Sequence, residues 1–306
     1  MHVAVAIVGF RNCEDIVRCL ASLERSSHSD FEVVVCENGG AAALEALQRV
    51  LPGKLAGGQP VSLFLADGNT GFAGGVNRCI SASAEADAWW VLNPDTEPHP
   101  EALEALAARL AAGDCDAVGA TLYLPNGTVQ SYGGLWRGWL GRPISIGHGK
   151  PLDAPVERGT IERQQNYLNG ASMLIGRRFW EVTGPMREDY FLYCEEVEWC
   201  LRALARGMRL AFEPRALVLH HQGATTGAGA PADRRPKTPV YLGERNRILL
   251  TRDCFPGRLL VAAPSALVQL GLRYGRLGAW AQLWYALGGW MAGLFDRRGP
   301  PGWVAN

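Results

Sequence analysis

Residues 3–10 read VAVAIVGF and residues 31–40 read FEVVVCENGG. The first is a nearly continuous apolar run, which reads as a strand buried on both faces. A helix follows from about Cys13 to Arg25, and the second run gives another strand, ending at Glu37-Asn38-Gly39-Gly40. Strand, helix, strand, with polar residues where each strand stops, opens a nucleotide-type α/β fold. Glu37 at such an end could accept a hydrogen bond from a base or a ribose, or simply close a turn.

Moving outward, residues 67–80 read DGNTGFAGGVNRCI. Gly71, Gly74 and Gly75 surround Phe72 and lead into a helix that carries Asn77. Glycines let backbone N–H groups approach a phosphate or sugar without interference from Cβ, although the spacing is not the dinucleotide fingerprint. Residues 89–100, WWVLNPDTEPHP, run an apolar strand into a turn with Asp95 at its end. Open α/β sheets place ligand chemistry at the carboxyl ends of strands. Pro94, Pro98 and Pro100 forbid continuing the strand, and from Glu101 the residues Leu103, Leu106 and Leu110 repeat at helix spacing. Taken alone, Asp95 reads equally well as a turn-stabilising aspartate.

Residues 190–223 concentrate the remaining chemistry: Glu195, Glu196 and Glu198 fall within four positions, and a later strand ends in His220 and His221. Clustered carboxylates repel one another. Such a group holds a divalent cation, supplies a base for an attacking hydroxyl, or merely answers the dipole of a helix start whose inward face is Leu201 and Leu204.

In this order, VAIVGFRN, VVVCENGG, GNTGFAGGVN, VLNPDTEP, NGASMLIGRRFWEVTG, YFLYCEEVEWCLRA and ALVLHHQG resemble the inverting glycosyltransferases of family 2. Within that family they are most similar to bacterial rhamnosyltransferases of polysaccharide assembly. The resemblance covers residues 3 to 250. It implies a GT-A fold, an α/β architecture with a Rossmann-like mixed sheet, formed by a catalytic domain over residues 1–253. A C-terminal helical extension then occupies residues 254–306.

The resemblance also implies roles. Glu37 would read the pyrimidine or ribose, although aspartate is commoner there. Asn69, Gly71 and Asn77 would line the nucleotide and sugar pocket, with Phe10, Arg11 and Asn12 at its rim. Asp95 matches the last acid of the family's Asp-x-Asp element, whose first position here is Asn93. Mg2+ or Mn2+ would bridge Asp95 and the donor's two phosphates, with His220 as a further ligand. Glu196 matches the catalytic base and Glu195 is its alternative, aspartate being more usual at the base position. Arg245 would pair with the pyrophosphate or lie exposed on its helix. The implied reaction moves L-rhamnose from dTDP-rhamnose to a saccharide or lipid-linked saccharide. A UDP-hexose or UDP-galactofuranose donor is the alternative, and a non-catalytic carbohydrate-binding protein is the alternative of another class.

Composition agrees with this reading. Of 306 residues, 48% are hydrophobic, enough for one large core with an appendage. Thirty basic residues balance thirty acidic ones, so no global field points to a nucleic-acid partner. None of the eight cysteines forms a Cys-x-x-Cys pair, which argues against zinc and for reduced cytoplasmic thiols. The start lacks the features of a secretory signal. Residues 133–165 read as a long loop over the sheet, residues 173–175 as core strand, and residues 223–239 as a mobile segment, which the resemblance implies can order over donor and which reads equally as an uninvolved surface linker. From Leu277 to Phe295 nineteen uncharged residues run between arginines, yet four glycines and a glutamine weaken a membrane span. Trp280, Trp284 and Trp290 suit a headgroup region, so the extension is expected on the inner membrane surface or in a homodimer interface.

Overall fold

The computed structural model describes residues 1–222, 227 and 229–304. In chain order, β1 (Val3–Gly9), α1 (Cys13–Leu23), β2 (Phe31–Glu37), α2 (Ala41–Gln48), β3 (Val61–Leu65), α3 (Gly71–Ala82) and β4 (Ala88–Leu92) build the nucleotide-type half. There follow β5 (Thr96–Pro98), α4 (Ala102–Ala111), β6 (Ala117–Tyr123), β7 (Val129–Ser131), β8 (Gly134–Arg137), β9 (Arg142–Ser145) and α5 (Arg158–Gln164). The rest comprises β10 (Ser172–Gly176), α6 (Arg177–Thr183), α7 (Glu195–Ala205), β11 (Leu210–His220), α8 (Lys237–Cys254), α9 (Leu259–Tyr274) and α10 (Trp280–Leu294).

The main sheet runs β3-β2-β1-β4-β10-β6-β11-β5, with β7 beside β6. β1 pairs in parallel with both β2 and β4, whereas β10 is antiparallel to β4 and β6, so the sheet is mixed. Because β2 and β4 flank β1, the chain reverses its winding direction there. A crevice is expected outside the carboxyl ends of those strands.

Every residue of β1 is buried, as its apolar run requires. Alternation sends Val3, Val5 and Ile7 to one face, against Ile16 and Leu20 of α1 and Leu103 and Leu106 of α4. Ala4, Ala6 and Val8 face the other way, toward Val76 and Ile80 of α3 and Trp199 of α7. Trp89 and Trp90 split in the same manner. Two apolar layers therefore clamp the sheet, which fixes its register and holds its strand ends still.

Three expectations change. The prolines after Asn93 do not end pairing: β5 forms antiparallel to β11, and Pro98 is tolerated because β5 lies at the sheet edge. Residues 133–165 are not one loop, since β8 and β9 form a hairpin and α5 follows. Gly134 makes that hairpin possible, as a Cβ there would lie 1.9 Å from the ring of Tyr167. Within 223–239, residues 223–226 and 228 lie outside the described residues, and α8 begins at Lys237.

The extension packs back onto α8. Gly289 and Gly293 of α10 meet its backbone so closely that a Cβ would lie 2.2 Å from the Tyr241 carbonyl oxygen and 2.6 Å from that of Arg245. Among the described residues no helix is long and apolar enough to cross a membrane.

Candidate active site

A cavity of about 560 Å³ opens at the ends of β1 and β4. Phe10 and Asn12 reach it from β1, Asn69 and Gly71 from the start of α3, and Asn93 and Asp95 from the turn after β4. Glu195 and Glu196 enter from α7 and His220 from β11. Nine of the thirteen expected site residues thus share one space, though they come from five separate parts of the chain.

The strand-end loops are tied by side chains bonding to backbone. Glu37 is fully buried, and its Oε1 accepts from the Arg11 and Gly39 N–H groups at 3.1 and 2.6 Å. It therefore splices the β1 and β2 ends instead of facing the cavity. Arg11 does not line the cavity either: its backbone is left-handed (φ 57°) and its Nε donates to the Gly39 carbonyl at 3.0 Å. The neighbouring Asn38 does line it, donating to the Gly71 carbonyl at 2.8 Å and accepting from the Thr70 hydroxyl at 2.9 Å. Asn77 is a strut, exchanging hydrogen bonds with both backbone groups of Met186.

Gly71 has φ +71°, and a Cβ there would lie 2.1 Å from the Phe191 carbonyl oxygen. That same oxygen accepts from the Phe72 N–H at 2.9 Å. The glycine-rich turn is in this way locked to the loop preceding α7. This loop is contorted: Phe191, Tyr193 and Cys194 all have positive φ. Asn246, wholly buried in α8, holds it by donating from Nδ2 toward the carbonyls of Tyr190, Leu192 and Tyr193 at 2.8–2.9 Å.

Arg245 takes neither of its two expected places. It is buried outside the cavity lining, where Nη2 donates to the Tyr190 carbonyl at 2.8 Å, Nη1 to Gly299, and Nε to Asn246 Oδ1. Burial lowers its affinity for a proton.

The acid cluster divides. Glu198 pairs with Arg202 one turn along α7, at 2.8 Å. Glu195 and Glu196 face the cavity. Burial pushes the Glu195 carboxyl well above the ordinary carboxylate range, and the adjacent Glu196 charge adds to this. Burial raises Glu196 as well, partly offset by backbone N–H groups at the start of α7. Glu195 Oε2 has no hydrogen-bond partner among the described residues.

Asp95 Oδ1 lies 3.3 Å from His220 Nε2, and both are buried at the cavity wall. On the far side, His220 Nδ1 contacts Gln130 Oε1 at 2.7 Å. A carboxylate and an imidazole nitrogen side by side, the imidazole held by an outer partner, are residue types that could both ligate a divalent cation. Among the described residues no group of three or more His, Cys, Asp or Glu is disposed to hold a metal, so any ion here needs ligands from elsewhere.

Residues 5–174 match the family described as Glycosyl transferase family 2. The chain belongs to glycosyltransferase family 2. The N-acetylglucosaminyl-diphospho-decaprenol L-rhamnosyltransferase of Mycobacterium tuberculosis is 26% identical over 258 residues, covering 75% of this chain and 80% of its own. An uncharacterized protein of Sinorhizobium fredii is 25% identical over 222 residues, 70% of this chain but only 24% of that longer one. The mannosyltransferase PcManGT of Pyrobaculum calidifontis, solved with GDP-Man and Mn2+, superimposes with TM-score 0.57 at 13% identity over 97% of this chain and 88% of its own. That likeness shows the GT-A fold of this glycosyltransferase.

Four features of the family 2 site escaped the motifs. Asn38 stands beside the more conspicuous Glu37. Gln130 sits in a short strand without any pattern. Asn246 stands among the charged residues of α8, with nothing in its pattern to mark it. The fourth is Val304, which lines the cavity from the far end of the chain.

Proposed function

We propose that the protein is a metal-dependent inverting glycosyltransferase that moves L-rhamnose from dTDP-rhamnose to a saccharide or lipid-linked saccharide in cell-surface polysaccharide synthesis. What carries this reading is one juxtaposition: the Asp95–His220 pair and the Glu196 carboxylate open into the same cavity. The name of the mycobacterial relative supports the sugar and a lipid-diphosphate acceptor.

Asp95 and His220 would hold Mg2+ or Mn2+, with the donor diphosphate completing its ligands. Such an ion would supply stabilisation of the charge that develops on the diphosphate. Glu196 accepts the proton of the acceptor hydroxyl. That oxygen attacks the anomeric carbon as the bond to the diphosphate oxygen breaks, and the configuration inverts. Glu195, held protonated by burial beside Glu196, keeps the second carboxylate from competing for charge. Asn38, Asn69 and Asn12 provide neutral polar groups at the nucleotide end, and Gly170 leaves space beside Glu196, where a Cβ would come within 3.4 Å of the glutamate side chain.

The test is release of nucleoside diphosphate from dTDP-rhamnose, a UDP-hexose and UDP-galactofuranose, each with manganese and with chelator. Faster turnover of dTDP-rhamnose, abolished by chelator, is expected. Turnover of a UDP-sugar instead would move the donor assignment. Binding without turnover of any of the three would make the protein a carbohydrate-binding module.

A further inference from the structure

α9 turns an entirely apolar stripe to solvent: Leu260, Val261, Pro264, Leu267, Val268 and Leu272, spaced for one side of a helix. Leu260 is 87% exposed. The neighbouring α10 repeats the pattern with Trp280, Trp284 and Met291, continued by Phe295, and Trp284 is 75% exposed. The inner sides of these helices are satisfied, because α10 rests on α8 through Gly289 and Gly293, and Trp290 donates to the Ala263 carbonyl at 2.9 Å. The outer stripes are therefore not a core awaiting closure.

A third piece comes from a distant part of the chain. The turn joining β8 to β9 presents Trp139 and Leu140, both exposed, and is fastened beside α9. Gln269 donates to the Leu140 carbonyl at 3.2 Å, and the Arg258 guanidinium lies 4.9 Å from the Trp139 ring centroid. Exposed apolar residues thus cluster on three elements that touch one another, where an ordinary soluble face carries them singly.

The charges bordering this surface choose its occupant. Arg137 and Arg142 flank the turn, Arg258 precedes α9, Arg276 follows it and Arg297 follows α10, while Arg273 at the end of α9 already pairs with Glu244 at 3.4 Å. From 255 to 304 the only acid is Asp296, which is already engaged by Arg298 at 2.7 Å. Two copies meeting through this patch would bring one arginine rim against another, since a two-fold contact repeats the same surface. An anionic bilayer presents acyl chains to the stripes, phosphates to the arginines, and an interfacial layer to the indoles.

We propose that α9, α10 and the Trp139–Leu140 turn form one surface that docks on an anionic lipid bilayer without spanning it. This does not rest on the identity of the donor. The full chain is mixed with vesicles of phosphatidylcholine alone, or with phosphatidylglycerol at roughly one lipid in three, and sedimented. It should bind the anionic vesicles at least about tenfold more tightly. Leu260→Ser with Trp284→Ser should weaken that binding by about tenfold or more while thermal unfolding and donor affinity stay unchanged. Arg276→Gln with Arg297→Gln should erase most of the preference for anionic lipid and leave the weaker neutral binding. A wild-type chain that stays in the supernatant with both vesicles overturns the proposal, as does equal affinity for the two. So does a lipid-free dimer that Leu260→Ser with Trp284→Ser dissociates, for then a second copy covers the patch.

Discussion

Asp95, His220, Glu195 and Glu196 line one cavity, the first three buried and Glu196 half-buried, and single substitutions would separate the roles proposed for them. Asp95→Asn keeps shape but removes the charge, so nucleotide affinity measured by calorimetry in manganese should drop at least about tenfold, and the chelator-treated affinity should not. Unchanged affinity in manganese would remove Asp95 from the metal. Glu196→Gln should lower turnover by roughly a hundredfold with donor affinity unaltered. In the wild type, the raised Glu196 carboxyl predicts that kcat/KM climbs with pH through a midpoint above the ordinary glutamate value of about 4.3. If Glu195→Gln shows the kinetic loss and Glu196→Gln does not, the two roles exchange.

Glu195 also has a stability signature whose sign follows from its raised carboxyl. The folded chain keeps this proton at pH values where the unfolded chain, with its ordinary pKa of about 4.3, has released it. Its contribution to stability is therefore full at low pH and is lost as pH rises through the elevated folded value. Glu195→Gln, neutral at every pH, should raise the melting temperature in neutral and mildly alkaline buffer and leave it nearly unchanged in acid. A variant that melts lower at pH 8 would mean that the ionised carboxylate makes a favourable contact.

Among elements, the loop before α7 and the turn before α3 act as one unit, since Phe191 supplies the oxygen that Gly71 must clear and Phe72 must donate to. Gly71→Ala combines an unfavourable positive φ with a 2.1 Å collision against backbone. It should cost roughly 1–3 kcal/mol of stability and more in donor affinity, read together by denaturant unfolding and calorimetry. Asn246→Ala should leave three carbonyls of the base loop without their shared donor, lowering kcat more than it raises the donor KM. A pure KM effect would mean that the loop keeps its shape without Asn246.

How much of this could be read beforehand depends on whether the governing force is local. β1 and β2 were legible because burial on both faces demands unbroken apolar runs, and Asp95, His220 and the α7 acids because strand ends and helix starts mark themselves. Arg245 was misjudged because its partners are carbonyls of residues 190 and 299, far away in sequence. The hairpin of β8 and β9 was missed since its Gly-, Arg- and Trp-rich composition hides strands of only four residues. Gly289 and Gly293, read as weakening a membrane span, are the points at which α10 touches α8.

For the whole molecule, the helices after residue 253 are bound into the catalytic body more tightly than a detachable appendage would be. Burial would push the Asp253 carboxyl up, but hydrogen bonds from Arg298 and Tyr190 and the Arg187 charge outweigh it and hold the group low. Its stabilisation is thus complete above the unfolded value of about 3.9 and fades as pH falls through the folded one. Truncation after Asp253 removes Arg298 and bares the α8 surface under α10. The shortened chain should lose several kcal/mol and unfold at lower denaturant, as well as leave lipid behind. A truncated protein as stable as the full chain would show that the extension is autonomous.

Gly299 donates its N–H to the Asp189 carbonyl and offers its own carbonyl to Arg245. These contacts fall on either side of the contorted loop before α7, yet Gly299 leaves the ribosome roughly eighty residues after β11 is finished, in a process that folds chains from the N-terminus onward. A nascent chain therefore possesses the cavity's carboxylates, and the Asn246 contacts that hold the loop before α7, well before Gly299 adds its ties to Asp189 and Arg245. Until translation passes Gly299 these two ties and the Val304 wall of the cavity are missing, so the cavity is completed last.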